Sequence, residues 1–147
     1  MVEKEKKVEK ISKEEAKRIL QEKSLQLVLL NQELKKIEDQ YALIDQSIAN
    51  FELTKQNLDE IKNIKDKEIL AQIAEGIFLK ARASEEGKVL INVGKGVVLE
   101  KSVDEAKEIL DAKIEEFSLL KSILSNEAKK ILDEIKFIEE EVKRITS

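Results

Sequence analysis

The fold is decided by the stretch Lys65–Lys101, KDKEILAQIAEGIFLKARASEEGKVLINVGKGVVLEK. It holds all four glycines of the 147-residue chain, and its Val, Ile, Leu and Phe residues alternate with polar ones. On both sides of it the glycines vanish and the apolar residues recur every three or four positions. A period of two is typical of strands and a period near 3.5 of helices. The sequence therefore predicts a β segment between two long helices.

Four short strands are predicted within this stretch, and each reversal between them contains a glycine, which supplies positive φ. The strands are expected at Ile69–Ile73, Ile77–Arg82, Val89–Val93 and Val97–Leu99, with turns at Ala74–Gly76, Ser84–Gly87 and Gly94–Gly96. The sequence Gly94-Lys95-Gly96 resembles part of a phosphate loop, but the full G-x-x-x-x-G-K-[ST] pattern is absent. We interpret it as a hairpin turn.

The N-terminal helix carries a heptad seam typical of coiled coils. Ser12-Lys13-Glu14-Glu15 matches a capping box and predicts the firm helix start, after a frayed lead-in at Met1–Ile11. The helix is expected to fade near Lys62-Asn63, with Asn63 in a left-handed conformation. Only Lys23 and Lys55 interrupt the two apolar series. These are Leu20, Leu27, Leu34, Tyr41 and Ile48, and Leu30, Ile37, Ile44, Phe51 and Leu58.

The C-terminal helix has a second capping box, Ser102-Val103-Asp104-Glu105, and an uninterrupted sevenfold series behind it. The series is Leu110, Phe117, Leu124, Ile131, Ile138 and Ile145, widened by Ile114, Ala128, Ile135 and Val142. If Lys62 lies level with Val103, the two sevenfold series coincide. The antiparallel register then places Ile48 beside Phe117, Tyr41 beside Leu124, Leu34 beside Ile131 and Leu27 beside Ile138. Tyr41 is expected in the core, with its hydroxyl reaching water.

The predicted fold class is mostly α: a long antiparallel coiled-coil helical hairpin with two central β-hairpins that join an oligomeric β-barrel. We expect one domain, residues 1–147, with helices at 12–63 and 102–147 and the β region at 64–101. Two hairpins cannot cover so apolar a sheet or satisfy its edges alone. Assembly with other subunits is assigned to Ile69, Leu70, Ile73, Ile77, Phe78, Leu79, Val89, Leu90, Ile91, Val93, Val97, Val98 and Leu99.

Composition excludes several function classes. Charged residues make up 39% and aromatics 3%, which favours long helices over a single round core. The net charge of −4, with no acid-free basic cluster, disfavours nucleic-acid binding. With no His or Cys, no catalytic constellation, metal site or cofactor is expected. Glu139-Glu140-Glu141 do not converge on a helix and are interpreted as a solvated face. No signal peptide or membrane-spanning run is present, so a cytoplasmic protein is expected.

Two segments resemble the prefoldin family, specifically its archaeal-type α subunits with two hairpins. They are Gly76–Ala81 (GIFLKA) and Lys88–Lys101 (KVLINVGKGVVLEK), where a strand and G-x-G precede V-V-x-E-K and a capped helix. The helix–two hairpins–helix plan covers the whole chain. One departure is that Leu70–Ala74 (LAQIA) lacks the proline that the family usually carries after the first strand.

The resemblance implies an ATP-independent holdase chaperone. It implies a hexamer with β-type subunits (α2β4) that captures unfolded polypeptides at coiled-coil tips and passes them to a group II chaperonin, without cofactors. The alternative is a structural coiled-coil spacer or filament subunit that binds no clients. An enzyme is not expected.

Client binding is expected at apolar residues that the seam leaves uncovered near the free ends. We interpret five residues that lie off the seam as a client or subunit contact: Leu25, Val28, Leu29, Leu132 and Phe137. The alternative is that they are scattered surface residues, since Leu43, Leu53 and Leu119 also lie off the seam. Frayed packing could also expose Val8, Ile11, Ile19, Val142 and Ile145, which are otherwise ordinary seam ends.

Overall fold

The protein is described by a computed structural model whose backbone is described for residues 2–64, 66–83 and 87–146, with side chains from residue 13 onward in those ranges. Two β-hairpins lie between two long helices in the chain, which confirms the predicted fold class. The elements in chain order are α1 (Val2–Glu60), β1 (Glu68–Ala74), β2 (Ile77–Arg82), β3 (Lys88–Gly94), β4 (Val97–Ser102) and α2 (Val103–Thr146).

Helix α1 differs from the prediction at both ends. It begins at Val2 and not at Ser12, because Met1–Ile11 lacks Gly and Pro and is rich in Glu and Lys, which propagate a helix. It ends at Glu60, and Asn63 does not take the predicted left-handed conformation. Among the described non-glycine residues, positive φ occurs at Asp66 (62°) and Lys95 (51°). The left-handed residue of this connection is therefore Asp66, just before β1.

Each hairpin is an antiparallel pair with a two-residue turn, and the two pairs form separate sheets. The first turn, Glu75-Gly76, lies between the paired residues Ala74 and Ile77. In the second, Lys95 and Gly96 have φ of 51° and 76°, as a turn matched to the strand twist requires. The predicted hairpin turn at Gly94-Lys95-Gly96 is thus confirmed. In the first hairpin no proline interrupts β1, which pairs with β2 through an irregularity between Gln72 and Ala74.

The base of each hairpin is closed by a backbone hydrogen bond. The Asp66 amide donates to the Ala83 carbonyl (3.2 Å), and the Val103 amide donates to the Gly87 carbonyl (2.8 Å). The second bond joins the first residue of α2 to the chain that enters β3. Val103 is almost fully buried, so the start of α2 is fixed to the second hairpin.

The predicted capping box at the start of α2 is confirmed. The Glu105 amide donates to the Ser102 hydroxyl (3.0 Å), and the Ser102 amide donates to a Glu105 carboxylate oxygen (3.2 Å). These reciprocal bonds satisfy two amides that a helix start leaves without partners. The bond from the Ser102 amide, more than any other interaction, holds the pKa of Glu105 below its ordinary value, because it stabilises the charged carboxylate.

The chain divides into two compact units. The helical unit comprises Met1–Ile44 and Leu120–Ser147, and the hairpin unit comprises Asp45–Leu119. The core of the helical unit is formed by Ile37, Ile131 and Ile135, with half-buried seam residues packed against it: Leu27, Leu30, Leu34, Leu124 and Ala128. Every member of this core belongs to the predicted seam. The organisation of residues 1–147 as one domain stays a prediction.

In the hairpin unit, contacts between α1 and α2 confirm the antiparallel register. Lys62, predicted level with Val103, forms an ion pair with Asp104 at 3.0 Å. One turn along, Lys107 binds Asp59 at 2.7 Å. The rings of Phe51 and Phe117 meet edge to face with centroids 5.3 Å apart, a favoured arrangement for aromatic pairs. The predicted register is therefore correct to within a turn.

The two lysines that interrupt the seam each bind an acid of the opposite helix. Lys23 pairs with Glu141 in the helical unit, and Lys55 pairs with Asp111 in the hairpin unit. The hydrogen bond with Asp111 raises the pKa of Lys55.

Tyr41 differs from the prediction: it is 36% exposed and lies at the edge of the seam, with the Lys121 ammonium 5.1 Å from its ring centroid. The ring thus binds a cation where a core residue was expected.

Replacing Glu105 by alanine removes the carboxylate half of the capping box and is expected to lower the unfolding temperature. Thermal unfolding followed by circular dichroism at one fixed protein concentration measures it. Because the folded-state pKa of Glu105 is lowered, its contribution is present above its ordinary value and is lost as pH falls through the folded pKa. The deficit of the variant should therefore shrink in acid. A deficit of equal size across that range would contradict the reciprocal cap.

Replacing Lys55 by leucine is expected to raise the unfolding temperature by a few degrees. The position lies in the seam, where an apolar side chain packs better than a lysine, and Asp111 is exposed enough to be solvated without its partner. The control is Lys35→Leu, which removes an exposed ion pair with Asp39 outside the seam. The unfolding temperature of that variant should not rise. Equal effects of the two substitutions would contradict the assignment of Lys55 to the seam.

Candidate functional site

The candidate sites of this chain are apolar surfaces. Within the described ranges, no group of three or more Asp, Glu, His or Cys side chains is placed to hold a metal ion. Neither described helix contains a stretch apolar enough to cross a membrane. Large apolar side chains are exposed on the hairpins, in the helical unit and, at Leu53 and Leu119, on the helices of the hairpin unit. The first two groups form the surfaces described below.

The first surface lies on the four strands and is called the hairpin surface. Its most exposed member, Leu90, is 74% accessible. The members are Leu70, Ile73, Ile77, Phe78, Leu79, Leu90, Val93, Val97, Val98 and Leu99. Ten of the thirteen predicted assembly residues are thus uncovered in the single chain. The other three, Ile69, Val89 and Ile91, are half-buried.

Apolar side chains project from both faces of each sheet. Phe78 pairs with Gln72 and Leu79 with Ala71, so Phe78 and Leu79 point to opposite faces. In the second hairpin, Val98 and Leu99 alternate in the same way. All four side chains are exposed. A partner that covered one face would leave the other in water, so only a closed assembly of several strands can bury this surface.

The second surface is a groove of about 600 Å³ between α1 and α2 in the helical unit. Leu30 and Ile138, which belong to the seam, are the least exposed of its lining residues. Leu29 and Phe137 stand at its rim and are 56% and 57% exposed. The remaining lining residues are polar: Gln26, Asp133 and Glu134. We call this set of seven residues the helical-unit groove.

The predicted client-binding residues divide into three groups. Leu29 and Phe137 line the groove, while Leu25, Val28 and Leu132 are exposed in the same unit. Ile19, Val142 and Ile145 are half-buried, as seam ends would be. The side chains of Val8 and Ile11 lie outside the described residues.

Sequence reasoning missed the polar part of the groove. Asp133 and Glu134 precede Phe137 by four and three residues, so helical periodicity brings them to the same side of α2. Gln26 stands in the same relation to Leu29 on α1. That spacing could have predicted these three polar residues as part of the groove. The prediction would first have required placing Leu29 beside Phe137, which depends on the register between the helices.

The fold and its two apolar surfaces define a class of subunit, one with a paired helical hairpin and strands that require cover from other chains. The sequence model of the family described as prefoldin subunit matches residues 30–147. The prefoldin subunit alpha of Thermococcus onnurineus is 34% identical over 105 residues, covering 65% of this chain and 71% of the relative. That of Methanococcus maripaludis (strain DSM 14266) is 30% identical over 108 residues, 74% of each chain.

A solved structure shares the fold. The cryo-EM structure of filamentous PFD from Methanocaldococcus jannaschii matches with a TM-score of 0.70 and 16% identity, covering 77% of this chain and 94% of that chain. The chain therefore belongs to the prefoldin family, and the relatives named above are alpha subunits. Membership implies a chaperone role within a prefoldin complex, since the family consists of chaperones and not of enzymes.

Replacing Leu90 by serine is expected to weaken assembly while leaving the helices intact. Loss of a large apolar side chain from a buried interface removes about 1–3 kcal/mol of burial free energy per copy, and a closed assembly contains more than one copy of each contact. Size-exclusion chromatography with light scattering measures the mass, and circular dichroism measures the helix content.

The matched control is Leu43→Ser, which removes an equally large and 65% exposed leucine from α1 in the helical unit. It should leave the mass of the assembly unchanged. A full-sized assembly formed by Leu90→Ser, or a loss of mass in both variants, would show that the hairpin surface is not the interface.

Proposed function

We propose that this chain is a subunit of an ATP-independent holdase that captures unfolded polypeptides through its helical unit. The hairpins assemble it with β-type subunits, with α2β4 as the expected stoichiometry. The assembly passes its clients to a group II chaperonin in the cytoplasm. The observation that carries the proposal is the helical-unit groove, an apolar surface that the antiparallel seam leaves open.

Several features of the groove suit a non-native polypeptide. Leu29 and Phe137 at the rim offer two large side chains, and Leu30 and Ile138 below them complete an apolar lining. Exposed apolar patches rimmed by polar residues mark interaction sites. An unfolded chain presents side chains that a folded one buries, so such a surface binds non-native proteins without reading a particular sequence.

The hairpin surface and the helical-unit groove lie in different parts of the chain. The hairpin surface lies within residues 69–99, and the groove residues lie within residues 26–30 and 133–138. No residue belongs to both surfaces. Assembly and client capture are thus assigned to different parts of the chain, so a variant can remove one and keep the other.

The double variant Leu29→Ser and Phe137→Ser is expected to lose most of its ability to suppress aggregation of a denatured client. Both side chains are exposed, so their removal takes away binding surface and little core. Light scattering by a chemically unfolded test protein, diluted into buffer with the assembled complex, measures the suppression. The mass of the complex, measured in parallel, should be unchanged.

A matched control is the double variant Leu53→Ser and Leu119→Ser, two exposed leucines that lie on the same two helices but in the hairpin unit. It should suppress aggregation as well as the original chain. If the groove variant still suppressed fully, the groove would not be the capture site. If the original assembly did not suppress at all, the structural spacer without client binding would be the better description.

Handover is tested by adding a group II chaperonin and ATP to the client-loaded complex and measuring recovery of client activity. The proposal expects recovery with the chaperonin and little without it. A client released in native form by the complex alone would contradict the holdase assignment, because nothing in the proposed mechanism drives folding.

A further inference from the structure

We propose that the helical-unit groove selects cationic segments, that is, apolar stretches of unfolded polypeptide flanked by Lys or Arg. This inference rests on the proposed function and adds a class of client sequence to it. The geometry that points to it is the pairing of an apolar lining with two carboxylates, Asp133 and Glu134, in one groove.

The two charged residues that line the groove, Asp133 and Glu134, are both acids. Residues 24–34 of α1 contain Glu33 as their only charged residue. Residues 131–141 of α2 contain Lys136 and five acids: Asp133, Glu134, Glu139, Glu140 and Glu141. Lysines flank both segments, among them Lys23, Lys35 and Lys130, and Lys23 binds Glu141. The negative charge is therefore local to the lining of the groove and is not a property of the whole region.

The two groove carboxylates are available to a ligand. Among the described residues neither Asp133 nor Glu134 takes part in an ion pair, although Lys130 lies one turn before Glu134. Glu141 differs, since Lys23 already binds it. Asp133 and Glu134 are both exposed, so a cationic side chain reaches them without desolvating a buried charge.

The dimensions of the groove fit a segment and not a folded domain. A volume of about 600 Å³ falls within the range of about 300–1,000 Å³ typical of pockets that enclose a small ligand. The apolar lining therefore takes a few side chains of a segment, while its flanking cations meet the carboxylates. At physiological salt, charges interact over about 8 Å, so residues adjacent to the bound apolar side chains contribute most.

Binding of two fluorescent peptides to the assembled full-length protein tests the inference. The peptides share one unstructured sequence of Leu, Phe and Ser and are flanked either by lysines or by glutamates. Fluorescence anisotropy should show that the lysine-flanked peptide binds about fivefold tighter, as expected for two exposed ion pairs. The difference should largely vanish in 1 M salt.

The variant Asp133→Asn with Glu134→Gln should lose this preference while still binding peptide through the apolar lining. Its matched control is Glu115→Gln with Glu116→Gln, an exposed pair of neighbouring acids on the same helix, outside the groove and in the hairpin unit. The control removes the same net charge, so it should keep the preference if the charges act locally.

The remaining outcomes separate the two proposals. Equal affinity for both peptides, with aggregation of clients still suppressed, overturns the charge preference and leaves the holdase function standing. A preference that the control variant loses equally overturns the local site, since net charge alone would explain it. A change in assembly mass caused by Asp133→Asn with Glu134→Gln would show that a neighbouring subunit occupies the groove, and this too overturns the inference.

Discussion

A two-stranded sheet with apolar side chains on both faces is unstable alone in water, and this constraint governs the rest of the molecule. Both hairpins of this chain are such sheets. Their strands are short and have free edges, so neither packing against one surface nor pairing with one strand satisfies them. The chain is therefore built to exist within an assembly. Its helices pair with each other in both units.

The pairing of the helices depends on a small number of specific contacts within each unit. The core of Ile37, Ile131 and Ile135 supplies the burial in the helical unit, while Phe51 and Phe117 meet in the hairpin unit. Lysines within the seam add charge pairs across it. A polar residue at a seam position reduces stability, yet it fixes register, because a one-heptad slip separates it from its partner. In this chain Lys23 and Lys55 do not by themselves fix the register, because a slip of one heptad would bring Glu134 opposite Lys23 and Asp104 opposite Lys55.

A seam of Leu and Ile closes along its centre and leaves the flanking positions open. In the helical unit these positions are apolar on both helices, which produces a groove bordered by Leu29 and Phe137. Next to the apolar lining, α2 carries Asp133 and Glu134, which form no ion pair among the residues that the structure describes. One surface thus combines apolar side chains with carboxylates, and the carboxylates keep the groove soluble when no ligand is bound. The proposed capture of clients requires both properties, because an uninterrupted apolar patch would aggregate with its own copies.

The sequence by itself determined the elements, their order and the helix register. These predictions used local signals: the change in apolar spacing from 3.5 to two residues, the glycines at the turns and the Ser102–Glu105 capping box. Local signals can be interpreted without knowing which residues are in contact in the folded chain. The start of α1 was predicted wrongly at Ser12 because a capping box permits a helix start but does not enforce one where the preceding residues also favour helix.

Only the tertiary structure decided which exposed residues form a surface. Leu29 and Phe137 are more than 100 positions apart, and their neighbours Gln26 and Asp133 acquire meaning only when two helices lie side by side. Exposure depends on what the rest of the chain leaves uncovered, and no local pattern carries that information.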